Sequence, residues 1–257
     1  RANGSPSAPG GIDLMHRFYA DEAPTGELAP LSPEDVRHAQ RVLRMQPGDA
    51  MELLFDGRRF AGVLAGMPNG ELGCRITGEL PTTEPALQIT LYQGLPKAEK
   101  MDWIVQKAVE LGASRVVPVS MRRCVVQLDA RDGTRKQERW QKIAREAAKQ
   151  SGRCQLMEVE APITMNALAS RLAAHEAALV PWEEAAGYSL NAFHTEHPAC
   201  KDVAVVIGPE GGIAPEEIVQ MNKAGCRTVT LGKRILRTET AAMASIAALM
   251  CLYGEME

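Results

Sequence analysis

Two short apolar runs near the end of the chain constrain the fold most strongly. Residues 203–207 and 228–231 are continuous and rich in β-branched side chains, the pattern of strands buried on both faces of a parallel sheet. Each run is followed by a glycine-containing loop and then by a predicted helix. Because ligands bind beyond the carboxyl ends of strands in such sheets, the two loops are expected to form one small-molecule site.

The loops themselves carry the candidate functional residues. The first reads GPEGG at residues 208–212, and the second, residues 231–240, contains Arg237 and Glu239. Glycines alone would usually indicate only turns, but turns do not account for two charged residues at a predicted helix start. Thr238 is expected to cap that helix, since a threonine side chain accepts a backbone N–H group of the first turn.

The chain divides into two regions of different pattern. Residues 15–82 contain short strands, a helix beginning at Ser32, and an Asp56-Gly57 pair that predicts a β-hairpin, which together indicate a small β-barrel. Residues 86–257 alternate strands and helices and therefore indicate a parallel α/β sheet. The segment PTTEP between them is the predicted linker, and residues 1–14 have the character of an expression tag.

The predicted elements of the second region are short strands and amphipathic helices, with one exception. The strands are residues 87–92, 115–119, 155–159, 177–181, 203–207 and 228–231, and the helices are residues 99–111, 134–150, 165–174, 215–224 and 239–252. The last helix is apolar nearly all round and must be buried. One copy of the chain is not expected to cover it, which predicts a homodimer.

Composition limits the classes of protein that remain. Six scattered cysteines without a C-x-x-C pair indicate reduced thiols in a cytoplasmic protein, with neither a disulfide framework nor a structural zinc site. His194, His197 and Cys200 lack a fourth ligand and are interpreted as a polar surface loop, so no metal is predicted. No apolar run approaches the roughly 20 residues that span a membrane.

The first strand–helix turn, residues 93–100, excludes two nucleotide-binding classes. It is neither a G-x-G-x-x-G dinucleotide motif nor a phosphate-binding P-loop, so NAD enzymes and P-loop NTPases are disfavoured. No G-x-S-x-G sequence marks a serine nucleophile. Lys97 and Lys100 in this turn are candidates for phosphate contacts, although solvated surface lysines explain the local pattern equally well.

Two basic surfaces predict a polyanionic partner although the net charge is −3. One is a stripe of basic residues at helical spacing within residues 131–153, and the other is a set of arginines in the first region. A run of charged residues usually forms a solvated face. Two basic faces on a mildly acidic protein, however, are explained better by an RNA partner than by chance. With the two lysines of the first turn, the candidate RNA contacts are Arg17, Arg37, Arg41, Arg44, Lys97, Lys100, Arg139, Lys142, Lys149 and Arg153.

Several stretches of the chain, in this order, resemble one family. They are HRFYA, HAQRVLRMQPGD, GLPKAEKMDWIVQKAVELGASRVVPV, REAAKQSGR, VVIGPEGG and LGKRILRTETA. The last two are the most specific, and together the stretches resemble the RsmE family, bacterial 16S rRNA uracil-N3 methyltransferases of the SPOUT class. Cys124 and Cys154 depart from the serine and threonine expected at their positions, but neither lies in the two glycine loops.

The resemblance implies a fold, a cofactor and partners. The fold is a PUA-like β-barrel for RNA binding followed by a SPOUT α/β domain with a deep trefoil knot. The cofactor is S-adenosylmethionine, and the partners are a second copy of the chain and 16S rRNA or the small ribosomal subunit. The residues expected to hold the cofactor are Leu179, Val180, Pro181, Ile207, Gly208, Pro209, Glu210, Gly211, Gly212, Leu231, Gly232, Ile235, Leu236, Arg237 and Thr240.

The implied reaction sets the expected catalytic roles. Uracil N3 must lose a proton before or during methyl transfer, so a base or electrostatic support for the developing anion is required. Arg237 cannot be the base because a guanidinium stays protonated, and it is assigned to the carbonyl oxygens or to phosphate. Glu239 is a possible base and Glu210 an alternative. Two other functions stay open: a related SPOUT methyltransferase acting on a ribose or on a tRNA guanine, and a non-catalytic RNA-binding assembly factor.

Overall fold

A computed structural model describes residues 16–20 and 22–257, and its contacts divide the chain into two units between Pro81 and Thr82. The predicted tag and the first residue of the predicted β-rich domain lie outside the described residues. Within the described ranges no helix is long and apolar enough to cross a membrane. The same ranges contain no cluster of three or more His, Cys, Asp or Glu residues arranged to hold a metal ion.

The first unit is built on one five-stranded sheet. Its strands are β1 (His16–Tyr19), β2 (Leu28–Pro30), β3 (Ala50–Phe55), β4 (Arg58–Gly66) and β5 (Leu72–Leu80), in the spatial order β1-β3-β4-β5-β2. The β1–β3 pairing is parallel and the others are antiparallel. Phe18, Met51 and Leu53 are among the buried side chains of its core. The strand-rich pattern of this region is therefore confirmed.

Local signals explain the hairpin and the helix of this unit. Asp56 and Gly57 have φ angles of 48° and 75°, and they join β3 to β4 in a two-residue turn. The helix α1 (Pro33–Arg37) begins where the Ser32 hydroxyl accepts the backbone N–H of Asp35 at 3.0 Å. It continues as a wider π-helical turn over His38–Val42, whose inner residue Ala39 is fully buried.

The second unit alternates strands and helices as predicted. Its strands are β6 (Gln88–Gly94), β7 (Arg115–Ser120), β8 (Glu158–Val159), β9 (Ile163–Thr164), β10 (Ala177–Pro181), β11 (Asp202–Ile207) and β12 (Arg227–Val229). Its helices are α2 (Lys100–Glu110), α3 (Ala130–Ser151), α4 (Met165–Leu172), α5 (Leu190–Glu196), α6 (Pro215–Lys223) and α7 (Thr238–Leu252).

All pairings of this sheet are parallel, in the order β12-β10-β11-β6-β7-β8, with β9 also pairing with β7. Residues 203–207 of β11 are buried, which confirms that this run lies inside a sheet covered on both faces. The carboxyl ends of β10, β11 and β12 are adjacent, so the loops that follow them meet at one edge.

Four predicted elements differ from the structure. The run at residues 228–231 was expected to be a strand buried on both faces, but β12 covers Arg227–Val229 at the edge of the sheet, and only Val229 is buried. The helix predicted at residues 134–150 is longer, because Asp129 caps the start of α3 through its side chain and Gly152 ends it in a left-handed conformation. The strand predicted at residues 155–159 is shorter in the structure, where β8 covers only Glu158–Val159. The interpretation of His194 as part of a loop was wrong, since it lies in α5, which Ser189 caps through its hydroxyl.

Candidate active site

A cavity of about 580 Å³ lies where the loops after β10, β11 and β12 meet. Pro181 and Ile207 end the first two of these strands, and Thr230 follows the third. Parallel strands bring their carboxyl ends to one side, so residues about 25 positions apart in sequence contribute to the same wall. The predicted convergence of the two glycine loops is therefore observed.

Twelve of the fifteen residues predicted to hold a cofactor line this cavity. They are Pro181, Ile207, Gly208, Pro209, Glu210, Gly211, Gly212, Leu231, Gly232, Ile235, Leu236 and Arg237. Leu179 and Val180 do not, because both are buried inside β10 before its end. Thr240 is exposed on α7 and lies outside the cavity lining.

Besides Lys100, which was predicted as an RNA contact, eight further lining residues were not predicted as cofactor contacts. They are Trp182, Glu183, Ile213, Thr230, Lys233, Arg234, Thr238 and Ala241. Seven of them lie directly beside predicted residues and Glu183 lies two positions from Pro181, so extending each predicted segment by one or two positions would have found all eight. Trp182 and Glu183 follow directly after Pro181, where β10 ends.

Close packing explains the glycines of the first loop. A Cβ atom on Gly208 would stand 2.6 Å from Cγ1 of Ile213, and one on Gly94 would stand 2.7 Å from the backbone nitrogen of Pro209. Gly212 and Gly232 have φ angles of 71° and 97°, which side-chain-bearing residues rarely adopt. Gly208 is thus required by contacts within the protein.

Thr238 ties this loop to the last helix, in a way that the sequence did not predict. It is the first residue of α7 rather than its N-cap, which is Arg237. Its hydroxyl donates to the carbonyl oxygen of Gly208 at 2.6 Å and accepts from Nε2 of Gln93 at 2.9 Å. The prediction that Thr238 caps the helix was therefore wrong, because the hydroxyl bonds between loops instead of within the first turn.

Glu217 fastens the other side of the same loop. Its side chain is buried, and its two carboxylate oxygens accept the backbone N–H groups of Arg122, at 2.8 Å, and Ala214, at 3.1 Å. The guanidinium of Arg123 adds a 3.1 Å bond to the carbonyl oxygen of Gly211. These bonds join the segment after β7 to the loop after β11 and limit the movement of the cavity wall.

A charged cluster stands beside the cavity. Nζ of Lys100 lies 3.0 Å from Oε1 of Glu210 and 3.2 Å from Oε2 of Glu239. The hydrogen bond to Glu210 is the main reason why the pKa of Lys100 is raised. Burial alone would raise the pKa of Glu210, but bonds from its own backbone, Lys100 and the N–H of Lys97 lower it overall. Glu239 does not belong to the cavity lining.

The residues predicted to contact RNA fall into different environments. Five of them are exposed: Arg37, Arg41, Arg44, Lys97 and Lys142. Arg17 pairs with Glu52 at 2.9 Å, Arg139 pairs with Asp102, and Lys149 lies 3.5 Å from Glu146. Lys100 lies within the charged cluster of the cavity.

The prediction that Arg153 contacts RNA was wrong. Only 6% of its side chain is exposed, and Nε donates to Oε2 of Glu84 at 2.8 Å. Nη1 donates to the carbonyl oxygens of Val109 and Ala113 at 2.9 and 3.0 Å. The helical spacing that suggested a basic stripe ends at Gly152, where the left-handed turn directs the chain inward.

Comparison with known proteins gives a consistent result for both units. The family model of an RNA methyltransferase domain matches residues 83–250, and the model of an RNA methyltransferase PUA domain matches residues 31–76. Ribosomal RNA small subunit methyltransferase E of Bacillus subtilis is 33% identical over 250 residues, which cover 91% of this chain and 96% of the relative. The enzyme of the same name from Aquifex aeolicus is 32% identical, with 92% and 99% covered.

A solved structure has the same architecture. Ribosomal RNA small subunit methyltransferase E of Neisseria gonorrhoeae, bound to S-adenosyl methionine, superposes with a TM-score of 0.81 at 32% identity, covering 93% of this chain and 98% of that one. The match spans both the α/β unit and the small N-terminal PUA unit. By sequence, architecture and domain content, this chain belongs to the ribosomal RNA small subunit methyltransferase E family.

Proposed function

We propose that the protein transfers a methyl group from S-adenosylmethionine to N3 of a specific uridine in 16S rRNA of the small ribosomal subunit. The observation that carries this proposal is the cavity formed by the loops after β10, β11 and β12, in a chain that belongs to a ribosomal RNA methyltransferase family. Residues 86–257 supply the chemistry, and residues 15–82 supply RNA binding. The protein acts in the cytoplasm, where its substrate is.

The residues of the cavity fit S-adenosylmethionine. A volume of about 580 Å³ lies within the range typical of small-molecule sites, roughly 300 to 1,000 Å³. Ile207, Leu231 and Leu236 provide apolar surface for the adenine ring, and the backbone groups of residues 208–212 and 231–237 provide donors and acceptors for the ribose and the amino acid. When bound, the cofactor supplies an electrophilic methyl group on a sulfonium.

The protein contributes positioning and charge to this reaction. In-line displacement at a methyl carbon depends chiefly on alignment of the two reactants. Arg237, at the N-cap of α7, lines the cavity with an exposed guanidinium that stays protonated, and we assign it to the carbonyl oxygens of uracil as N3 loses its proton. Glu239 remains the candidate base, although its carboxylate pairs with Lys100 and Glu239 lies outside the cavity lining.

Mapping the modified nucleotide tests this function. The full-length protein is incubated with S-adenosylmethionine and small ribosomal subunits that lack the modification, and the rRNA is digested and analysed by mass spectrometry. A single N3-methyluridine is the expected product. A ribose 2′-O-methyl group or a methylguanine would show a related reaction, and binding without turnover would show an assembly factor. Free oligonucleotides are expected to be poor substrates, because folded RNA presents the target.

The exposed arginines near α1 are expected to contact phosphates of the RNA. Changing Arg37 and Arg41 together to alanine should weaken RNA binding and reduce the slope of log affinity against log salt concentration by roughly 1.5, the value for two lost phosphate contacts. Affinity for S-adenosylmethionine should not change. Filter binding over a salt series measures the slope.

Arg227 provides the control for the RNA measurement. It is half-exposed in the second unit and pairs with Glu196, and it belongs to neither predicted basic surface. Arg227→Ala should leave the salt slope at its wild-type value. If the double variant also kept the wild-type slope, Arg37 and Arg41 would form only a solvated face.

The outer face of α7 is expected to pack against a second copy of the chain. Ala242, Ile246 and Leu249 are fully buried on its inner face, but Ala244, Ala247 and Leu252 remain partly accessible. A helix that is apolar nearly all round needs a cover on both sides, so we propose a homodimer. Light scattering at micromolar concentration should give twice the mass of one chain, and a monomer mass would contradict the proposal.

We also propose that the C-terminal domain has the SPOUT topology with a trefoil knot. The support is the resemblance of residues 203–248 to that class and the meeting of the loops after β11 and β12 at one cavity. Knots are rare, so this requires a direct test. An experimental structure whose chain can be traced through the last two loops will decide, because a chain that forms no knot on closing its ends rules it out.

A further inference from the structure

Lys100 brings to the cavity a positive charge that does not come from the two glycine loops. It is the first residue of α2, more than 100 positions before them in sequence, yet it lines the cavity together with Arg237. The sequence suggested a phosphate contact for Lys100. The structure instead places its ammonium group between two carboxylates at the cavity wall.

The two carboxylates fix the direction of this ammonium group. Glu210 accepts from it at 3.0 Å and is itself held by the backbone N–H of Lys97 at 3.1 Å. Glu239, in the first turn of α7, lies 3.2 Å away with Oε2 buried, at an ion-pair distance without hydrogen-bond alignment. Backbone donors thus support one carboxylate and the helix N-terminus supports the other, so Lys100 need not neutralise both fully.

An ammonium group has three N–H donors, and Nζ of Lys100 lies against one oxygen of Glu210 and one oxygen of Glu239, which leaves a third donor. The remaining donor belongs to a group whose position is fixed before any substrate binds. Preorganised donors of this kind lower a barrier more than mobile ones, because no reorganisation is needed as the charge develops. Of the pair formed by Lys100 and Glu239, only Lys100 belongs to the cavity lining.

We propose that Lys100 is a catalytic residue that donates a hydrogen bond to a carbonyl oxygen of the target uracil and stabilises the negative charge that develops on the ring. This rests on the proposed N3 methylation. The N3–H bond breaks and its proton leaves to the base, which is Glu239 or water. The N3 electron pair forms the new bond to the methyl carbon, and the carbon–sulfur bond of the donor breaks with its electrons retained on sulfur. Lys100 keeps its proton throughout.

The test compares Lys100→Met and Lys100→Arg in the full-length protein. At saturating subunit and S-adenosylmethionine, the single-turnover rate of Lys100→Met should fall roughly 100-fold, the scale for one lost oxyanion donor. Affinity for S-adenosylmethionine, measured by calorimetry, should change little. The difference in rate between Lys100→Met and the wild type should become smaller as pH rises, because uracil N3 then ionises without help. Lys100→Arg should recover part of the rate.

A matched control lies on the same helix. Lys107 also pairs with a glutamate, Glu110, at 2.8 Å, but it stands outside the cavity lining. Lys107→Met should leave both the rate and the affinities at wild-type values. A double variant, Lys100→Met with Glu239→Gln, removes the unpaired carboxylate that the single variant leaves. If the double variant regained the wild-type rate, Lys100 would act only by neutralising Glu239.

Other outcomes also overturn the proposal. A parallel loss of S-adenosylmethionine affinity in Lys100→Met would make Lys100 a cofactor ligand. A lower RNA affinity with a reduced salt slope and an unchanged saturating rate would make it a phosphate contact, as the sequence suggested. An unchanged rate would exclude any catalytic part. Failure of N3 methylation itself would already appear with the wild-type protein, so the two failures are distinguishable.

Discussion

Replacing Arg237 by alanine is expected to lower the single-turnover rate of methyl transfer by roughly 100-fold or more, the scale observed when an oxyanion donor is removed. The side chain lines the cavity at the N-cap of α7, and a guanidinium remains charged at every accessible pH. Affinity for S-adenosylmethionine should change little. Rapid-quench assays with saturating subunit, combined with calorimetry, separate the two quantities.

A conservative variant of Arg237 and a control variant elsewhere test whether the effect belongs to this guanidinium. Arg237→Lys should recover only part of the rate, because lysine lacks the planar pair of donors. Arg227, half-exposed and paired with Glu196, gives a control in which alanine should have no effect. Equal losses of rate and cofactor affinity in Arg237→Ala would instead assign the residue to cofactor binding.

Glu239→Gln addresses the base under the same single-turnover conditions. If Glu239 takes the N3 proton, glutamine should remove most of the activity at neutral pH, and a higher pH should restore part of it. A pH–rate profile superimposable on that of the wild type would exclude this carboxylate. Glu239 pairs with Lys100 and lies outside the cavity lining, which agrees with that second outcome, a reaction driven by electrostatic stabilisation alone.

Replacing Arg153 by alanine is expected to destabilise the second unit by about 3 to 5 kcal/mol, the usual cost of removing one partner of a buried ion pair. The change leaves the carboxylate of Glu84 without its counter-charge and removes the Nη1 donor from the carbonyl oxygens of Val109 and Ala113, of which Val109 keeps the backbone N–H of Gly112. The three tryptophans, Trp103, Trp140 and Trp182, all lie in this unit, so their fluorescence during urea unfolding reports its stability.

Arg139→Ala is the matched control for this measurement. Arg139 also pairs with a carboxylate, Asp102, but half of its side chain is exposed, so its loss should cost no more than about 1 kcal/mol. If Arg153→Ala lowered the free energy of unfolding by a similarly small amount, water would have to enter and solvate Glu84. Such a result would contradict the buried pair.

The ion pair of Arg153 and Glu84 also makes the stability of the second unit depend on pH. Burial by itself would raise the pKa of Glu84, but Arg153 and the backbone N–H groups of Cys154 and Gln155 lower it overall. A lowered folded pKa contributes stability above the unfolded value of about 4.3, and that stability is lost as pH falls through the folded value. In Arg153→Ala this acid-sensitive contribution should shrink.

Features set by neighbouring residues could be predicted from the sequence. Asp56 and Gly57 predicted the hairpin because two positive φ angles in succession require such residues. Ser32 and Pro33 predicted the start of α1, and the apolar run before Gly208 predicted β11. The meeting of the two glycine loops also followed, since parallel strands place their carboxyl ends on one side.

Features that depend on distant partners could not be predicted. Arg153 has the spacing of a surface stripe, but its partner Glu84 lies 69 residues earlier. Lys100 meets Glu239 across 139 positions, and Thr238 bonds to Gly208 in another loop. Periodicity and capping rules describe one element at a time, so they assign such side chains to solvent or to their own helix.

The division between Pro81 and Thr82 has a consequence for how such a protein can change. Arg59 donates to the carbonyl oxygen of Pro81 within the first unit, and Thr83 donates to that of Gly152 within the second. Each unit also has its own buried core. The junction is therefore a natural recombination point, where a different nucleic-acid reader can be grafted onto an unaltered catalytic module to redirect it to another target.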